Sequence, residues 1–385
     1  ILHCFEKYAK IYILYTITVL GRGVHDLIYM DNAATSFFKP PEIINAAVST
    51  VKFLSVNAGR GSHFMALKGA RLIMSVREKT AAFFGAEDPM RVIFTAGCTA
   101  ALNAAILGSN LSGRHVITTA LEHNSVLRPL FELKRRGDIS LTVLTPSADG
   151  TVSAEDVKQA IRRSTAMVAV THVSNVTGVC QPVAEIGAVC RKNNVIFLVD
   201  AAQSAGLCDI NVQADKIDIL AVPAHKGLHS LPGAGALILS ERASLYPTVF
   251  GGTGTASDSL MQPVSVPDGF EAGTLNLPAI AAMGRALDLA LRQKSQRRHA
   301  LEQVSTRLYR QLAALPQIKL YSPPVSPAGI ISFNVRGRDS EEVCSILSER
   351  YGICVRGGLH CAPLCHKALS TSVRGAVRIS PAFNN

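Results

Sequence analysis

The run Ala221-Val-Pro-Ala-His225-Lys226-Gly227-Leu228 decides how this chain is read. An apolar stretch, Ile217 to Val222, stops at a His-Lys pair. A glycine-rich turn, Pro232-Gly233-Ala234-Gly235, follows, and then a second apolar stretch, Ala236 to Leu239. Burial at the end of a strand disfavours the charged ammonium, so Lys226 is expected to carry a depressed pKa and a nucleophilic amine. Such an amine suits a Schiff base with an aldehyde cofactor. Upstream, Val195-Ile-Phe-Leu-Val-Asp200 is another apolar run, and it ends in a carboxylate. A lysine for the aldehyde and an acid for a pyridinium nitrogen are the two groups that pyridoxal phosphate (PLP) asks of a protein. Taken singly, Lys226 reads equally as a surface lysine and Asp200 as a turn cap. The pair gains force from what surrounds it.

The chain has 385 residues, of which 48% are hydrophobic and 17% charged, so it is long and apolar enough for a large core and one smaller unit. The net charge of +11 is dispersed apart from Arg292, Lys294, Arg297, Arg298, Arg307 and Arg310. These alternate with Leu301, Val304, Leu308, Leu312 and Leu315 at helical spacing, which predicts the solvated face of an amphipathic helix and not a nucleic-acid surface. Nine cysteines without a disulfide-like spacing favour reduced thiols and a cytoplasmic setting. Cys354, Cys361, Cys365 and His366 cluster, but not at the spacing of paired zinc ligands, and no metal is expected.

Residues 1–27 do not resemble the rest. Ile11 to Gly21 is apolar and preceded by Lys7 and Lys10, like a signal-peptide core, yet it is too short to span a bilayer and lacks a small-residue cleavage site. It is read as an atypical extension, and no membrane association is expected. From Ile28 on, helices expected at 41–53, 66–84, 99–107, 126–136, 154–161 and 184–192 alternate with strands at 91–95, 115–119, 140–144, 166–172, 195–200, 217–222 and 236–239. This predicts an α/β chain with a mainly parallel, seven-stranded sheet covered on both faces. One long helix is expected over 279–315, and a smaller α+β unit after it. The expected domains are 28–280, with 28–45 partly packing on the smaller unit, and 281–385.

Three further motifs sit where such sheets collect ligands. Phe94-Thr-Ala-Gly97-Cys98-Thr99 passes from strand through a glycine turn into a helix, whose free N–H groups and dipole suit a phosphate. His123, in Leu121-Glu-His123-Asn124-Ser125, is placed to stack on a flat ring, or is an ordinary loop histidine. Asn175, in Thr171-His-Val-Ser-Asn175-Val-Thr-Gly178, is placed for a phenolic oxygen or a substrate carboxylate, or is a turn asparagine.

Together these runs resemble the class V aminotransferases of PLP fold type I, and most of all cysteine desulfurases with a short active-site loop. Also matching are Tyr29-Met-Asp31-Asn32-Ala33-Ala34-Thr35, Asn57-Ala-Gly59-Arg60-Gly61-Ser-His63, Val199-Asp200-Ala-Ala-Gln203-Ser-Ala-Gly206 and Gly251-Gly252-Thr253-Gly254-Thr255. So are Phe270-Glu271-Ala-Gly273-Thr274 and Val355-Arg356-Gly-Gly-Leu-His360-Cys361-Ala-Pro363. The likeness covers residue 28 to the C-terminus.

The resemblance implies that Lys226 binds PLP and moves the substrate α-proton, that Asp200 holds the pyridine nitrogen and that His123 stacks on the ring. Gln203 would lie near the phenolic oxygen. Gly97, Cys98, Thr99 and His225 would hold the phosphate. Thr274, with the Gly251–Gly254 loop, would reach that phosphate from a partner subunit, which implies a homodimer with shared sites. Ala33, Asn175, Arg356 and Arg378 would meet the substrate, Arg378 as a carboxylate clamp. Cys361 would take sulfur from L-cysteine as a persulfide, leaving alanine, with Arg356 and His360 favouring its thiolate, and would pass it to a sulfur-acceptor protein. The alternatives are a selenocysteine lyase, a cysteine sulfinate desulfinase or another class V lyase, or a degenerate, non-catalytic member.

The chain departs from the family pattern at Pro223, where a phosphate-binding hydroxyl is usual, at Ala224 in place of glycine, and at Ala100 in place of an acid. The pattern also runs past Asn385 into a terminal helix, so the smaller unit is expected to lack a packing element.

Overall fold

A computed structural model describes residues 27–58 and 61–385. The apolar run at 11–21 and the pair Gly59-Arg60 lie outside the described residues. The first strand, β1 (Ile28–Tyr29), leads into a seven-stranded sheet built from β2 (Val92–Thr95), β3 (Arg114–Thr119), β4 (Ile139–Leu144), β5 (Thr165–Thr171), β6 (Ile196–Asp200), β7 (Ile219–Pro223) and β8 (Gly235–Leu239). Their order is β2-β8-β7-β6-β5-β3-β4; β8 runs antiparallel to both neighbours and the other pairings are parallel.

The strand residues are apolar almost throughout because both faces are covered. Val168, Val170, Phe197, Val199, Leu220 and Val222 point into one core, which holds Ile73, Val76 and Phe84 of the helix at Phe64–Phe84. Met167, Ala169, Leu198, Ile219 and Ala221 point into the other, against Leu102 and Ile106 of the helix at Cys98–Leu107. The period-2 alternation of the two sets is what a sheet between two helical layers requires.

β9 (Ile318–Leu320), β10 (Ile331–Val335) and β12 (Val377–Ile379) form a small antiparallel sheet in the order β12-β10-β9, while β11 (Ile353–Cys354) pairs with β1 in parallel. Asp31 bridges to Ser380, so the chain just after β1 is tied to the C-terminal segment.

Two expectations need correction. The helix expected over 279–315 is two helices, Leu277–Arg292 and Lys294–Ala313, broken at Gln293. The break falls in a wholly polar run, Arg292 to His299, between the apolar residues Leu291 and Ala300, a gap that the expectation of one continuous helix passed over. Within the basic cluster, Arg297 is not solvated. It is buried, its guanidinium lies 4.5 Å from the Phe383 ring, and Nε and Nη2 donate to Gln293 Oε1. A planar cation under an aromatic ring is a packed element, not a surface charge.

One glycine pair sets the spacing of the site. A Cβ on Gly227 would fall 2.5 Å from the Ala205 carbonyl oxygen, and one on Gly206 (φ +85°) would fall 2.9 Å from the Gly227 backbone. The loop after Asp200 and the loop after Lys226 therefore touch backbone to backbone. Gly227→Ala is expected to destabilise the protein by about 1–3 kcal/mol through overpacking. An unchanged urea midpoint in this variant would contradict the close approach.

Candidate active site

The parallel strands all end on one edge of the sheet, and the segments leaving those ends converge there. β3 leads to His123, β5 to Asn175, β6 ends in Asp200 and β7 leads to His225 and Lys226. β2 delivers Gly97 and the start of the helix at Cys98–Leu107. β8 runs the other way, so the Pro232-Gly233 turn before it closes the same edge. The result is a cavity of about 700 Å³ lined by Gly97, Cys98, Thr99, His123, Asn175, Asp200, Gln203, His225 and Lys226, among others.

Most sequence-predicted residues thus share one cavity. Ala33, Arg356, Arg378, Cys361 and Thr274 do not line it. Ala33 is buried beside it, where its carbonyl accepts from Gln203 Nε2 at 3.0 Å. Thr274 is exposed and adds nothing to the cavity of its own chain.

The electrostatics arise from burial. Lys226 faces the cavity, and desolvation lowers its pKa against the pull of Cys98 and Asp200; Arg378 and Arg356 lower it further. Asp200 is buried, and the same desolvation raises its pKa, opposed by the Ala202 N–H that donates to Oδ1 at 2.8 Å, by Lys226 and by Cys98. Cys98 Sγ donates to the same oxygen at 3.5 Å. Both groups are thereby biased towards their neutral forms.

His123 precedes the helix at Asn124–Arg136 and caps it: the Ser125 N–H donates to Nδ1 at 3.1 Å. A ring that accepts at Nδ1 carries its proton on Nε2. Burial, with Lys226, Arg356, Arg378 and Arg128 adding to it, takes its pKa down to about 4. Ser125 Oγ lies 2.9 Å from Nδ1 and 2.8 Å from Thr99 Oγ1, joining the ring to the Gly97–Thr99 turn. Sequence reasoning gave Ser125 no role, although it stands two residues after His123; the signal was its position at the helix N-terminus.

His225 is similar. Burial takes it to about 4, with help from Lys226 and Lys39, and its Nδ1 lies 3.0 Å from Thr35 Oγ1. Lys39 Nζ reaches the Ser36 carbonyl at 2.6 Å, and burial lowers its pKa to about 8. The run from Thr35 to Lys39 is a further contribution that sequence reasoning did not assign.

The arginine and cysteine expected at the substrate end sit on neighbouring segments. Arg378, in β12, is 1% exposed. Its Nη1 donates to the Asn175 carbonyl at 3.0 Å and its Nη2 to Asp31 Oδ1 at 2.7 Å, while Nε has no partner. Arg356 pairs with it through the backbone. Asn175 donates from Nδ2 to the His360 carbonyl at 2.7 Å, which leaves one amide hydrogen for any ligand.

Cys361 is exposed on a turn, and its carbonyl accepts from the Asn124 N–H at 2.7 Å. His360 does not favour a thiolate, contrary to the sequence-based expectation. It is buried, burial and the Arg378 charge take it down to about 2, and Nε2 contacts the Ala376 carbonyl at 3.0 Å. A neutral ring held that way supplies no positive charge.

Among the described residues no three His, Cys, Asp or Glu side chains converge as a metal site would need, and no helix is long and apolar enough to cross a membrane.

A strand-edge cavity with a desolvated lysine, a buried acid and a helix N-terminus belongs to a known class. Residues 28–385 match the family model for class-V aminotransferases, and the chain belongs to that family. Its relatives include proteins named cysteine desulfurase. One, named probable cysteine desulfurase, from Methanothermobacter thermautotrophicus, is 33% identical over 94% of this chain and 92% of its own. Another, from Cronobacter sakazakii, is 33% identical over 89% of this chain and 87% of its own. The apo structure of a cysteine desulfurase from Thermococcus onnurineus NA1 superposes with a TM-score of 0.84 at 30% identity, covering 93% of this chain and 90% of that one.

Both histidines at the cavity carry depressed pKa values, so unfolding must charge them. The folded pKa lies below the unfolded one, so their contribution to stability is full above about pH 6.5 and lost as the pH falls towards 4. At pH 5, His123→Gln is expected to reduce proton uptake on unfolding of the cofactor-free protein by about one proton. The check is the pH dependence of the urea midpoint in wild type and variant; equal slopes would mean that His123 is not held neutral.

Proposed function

We propose that the protein is a PLP-dependent cysteine desulfurase, converting L-cysteine to L-alanine with the sulfur passing to Cys361. The observation that carries this reading is the convergence of Lys226, Asp200 and His123 on one cavity, with the Cys361 backbone bonded to the helix that His123 caps. The names of the relatives point the same way.

The residues fit the cofactor. The cavity is large enough for a phosphorylated pyridine ring, and its two ends differ in chemistry. At one end, the N–H groups of Cys98 and Thr99, the hydroxyls of Thr99 and Ser125, and His225 form a phosphate cradle at a helix N-terminus. Pro223 ends β7 opposite Gly235 and does not line the cavity, so the paired Thr99 and Ser125 hydroxyls stand in for the missing one. At the other end lies Asp200, placed for the ring nitrogen. When bound, the cofactor supplies an electron sink for charge developing at the substrate Cα.

The protein's own groups do the rest. Lys226 would hold the cofactor's aldehyde carbon and would then move a proton at the substrate Cα, a task its lowered pKa suits. A pyridinium against Asp200 would oppose the effect of its burial and favour the carboxylate. Neutral His123, with its proton on Nε2, would lie on the ring face. Arg378, oriented by Asp31 and the Asn175 carbonyl, keeps donors for a substrate carboxylate, and Ala33 and Arg356 flank that end. The Cys361 Sγ attacks the substrate sulfur; an S–S bond forms as the Cβ–S bond breaks.

Phe53 and Phe64 are 72% and 76% exposed and Leu260 is fully exposed, an apolar surface that supports a homodimer. Thr274 and the Gly251–Gly254 loop, exposed here, would complete the neighbouring site from the partner subunit. A sulfur-acceptor protein is the natural next carrier, and the unpaired thiols support a reducing, cytoplasmic setting.

Lys226→Ala is expected to abolish the reducible covalent link to PLP and to lower alanine release by at least about 10²–10⁴-fold, the usual contribution of a positioned proton carrier. A borohydride-stable adduct surviving in that variant would refute the assignment. Cys361→Ala is expected to retain the cofactor's visible absorbance while losing protein-bound persulfide. Undiminished persulfide after addition of L-cysteine would exclude Cys361 as the acceptor.

A further inference from the structure

Away from the cavity, two thiols and an imidazole meet on loops that lead from it. Residues 172–181 double back on themselves. The Gln181 N–H donates to the His172 carbonyl at 2.8 Å, the Ser174 N–H donates to the Val179 carbonyl at 3.0 Å, and Val173 pairs with Cys180 in an antiparallel bridge. Residues opposite each other across such a bridge turn their side chains to the same face. On that face Val173 is buried with Ala33, Ala328 and Ile330, and Leu207 and Cys208 pack against this cluster. Cys208 ends the short turn that begins at Asp200, its N–H donating to the Ser204 carbonyl at 2.8 Å. Cys180 is exposed, its thiol donating to the Gln181 carbonyl at 3.8 Å, and the half-buried Cys208 thiol is near enough to perturb it.

The third group is His172. It is 5% exposed, its Nδ1 has no hydrogen-bond partner, and its ring lies against the Cys180 thiol. A buried polar nitrogen left without a partner calls for an explanation. A proton acceptor for the neighbouring thiol is one.

We propose that Cys180 and Cys208 form a redox-active dithiol that hydroperoxides oxidise to an intramolecular disulfide, with His172 as the proton carrier. The steps balance. Cys180 gives its proton to His172 and its sulfur attacks one peroxide oxygen; the O–O bond breaks, leaving a sulfenic acid and releasing water as the proton is returned. Cys208 then attacks the Cys180 sulfur; the S–S bond forms and the S–O bond breaks. The hydroxyl leaves as a second water, taking the Cys208 proton. Two thiols and one hydrogen peroxide thus give one disulfide and two waters. The two thiols are tuned apart in the sense this needs. Cys208, aided by His172 against the cost of burial, lowers Cys180 to about 5, while Cys208 itself is raised well above its ordinary value by Cys180 and by burial. The disulfide would staple the segment after Asn175 to the segment after Asp200 and Gln203, both of which line the cavity.

The test uses the purified, cofactor-loaded protein pulsed with hydrogen peroxide and mapped without reduction. A linked peptide containing Cys180 and Cys208, released by dithiothreitol, is expected. In Cys208→Ser the same pulse should leave a dimedone-trappable sulfenic acid on Cys180. Iodoacetamide labelling of Cys180 should stay within about threefold from pH 8 to pH 6, where an ordinary thiol slows about tenfold per unit, and His172→Asn should steepen that profile. A Cys180 that remains a free thiol after the pulse overturns the proposal. So does a Cys180 whose labelling falls tenfold per unit.

Discussion

The site depends on two loops touching at their backbones. Gly206 and Gly227 leave no room for a Cβ between the turn after Asp200 and the turn after Lys226. An acid and a lysine on adjacent parallel strands, β6 and β7, already end on the same edge of the sheet. What glycine adds is the absence of a spacer, so that both groups can line one cavity. Gly235 repeats the device on the other side: a Cβ there would fall 2.7 Å from the Val222 carbonyl and 2.9 Å from Gly97. The Gly97 turn is thus pressed against β8 as the lysine loop is pressed against the acid loop.

Close packing of this kind sets the electrostatics. Asp200, Lys226, His123 and His225 are each pushed towards neutrality, and in each the largest cause is loss of water. Glu122, buried beside His123, obeys the same rule: burial raises it to about 8, although Thr119 Oγ1 and the Thr171 N–H both donate to it. A cavity whose ionisable groups are biased towards neutrality by burial is poised to gain charge from a ligand. An anionic phosphate and a pyridinium are charges of the kinds its two ends would stabilise.

The sheet and the cavity's main residues were legible in the sequence for a plain reason. Buried parallel strands are runs of apolar residues, and their C-terminal ends collect ligands, which put Asp200, His123 and Lys226 at or just after strand ends, while the roles expected of them came from the resemblance to the class V aminotransferases. What was not legible involved contacts across long sequence separations. The Arg378–Asp31 pair joins residues 347 positions apart, and Asn175 meets His360 across 185. The break at Gln293 lies in a polar run, Arg292 to His299, whose lack of apolar residues marks a gap in the stripe without fixing where the helix ends. Arg297 looked like a solvated charge because no local pattern shows that Phe383 covers it. His360 looked like a cationic neighbour of Cys361 because sequence proximity says nothing about burial.

That last case bears on how Cys361 is presented. His360 and Cys361 both have positive φ, 49° and 57°, a conformation costing a non-glycine residue about 1–3 kcal/mol. Three hydrogen bonds oppose that cost: Asn175 Nδ2 to the His360 carbonyl, the Asn124 N–H to the Cys361 carbonyl, and His360 Nε2 with the Ala376 carbonyl. At about 1 kcal/mol each they offset much of the strain, and Ala362 and Cys365 pack with Leu121 and Val176 beneath the turn. His360 therefore acts as a buried anchor and not as an electrostatic partner. The backbone of the turn is bonded to the start of the helix that His123 caps and to the Asn175 loop, so the exposed thiol is carried by the same two segments that shape the cavity. A cysteine held in this way is presented to solvent by a fixed backbone.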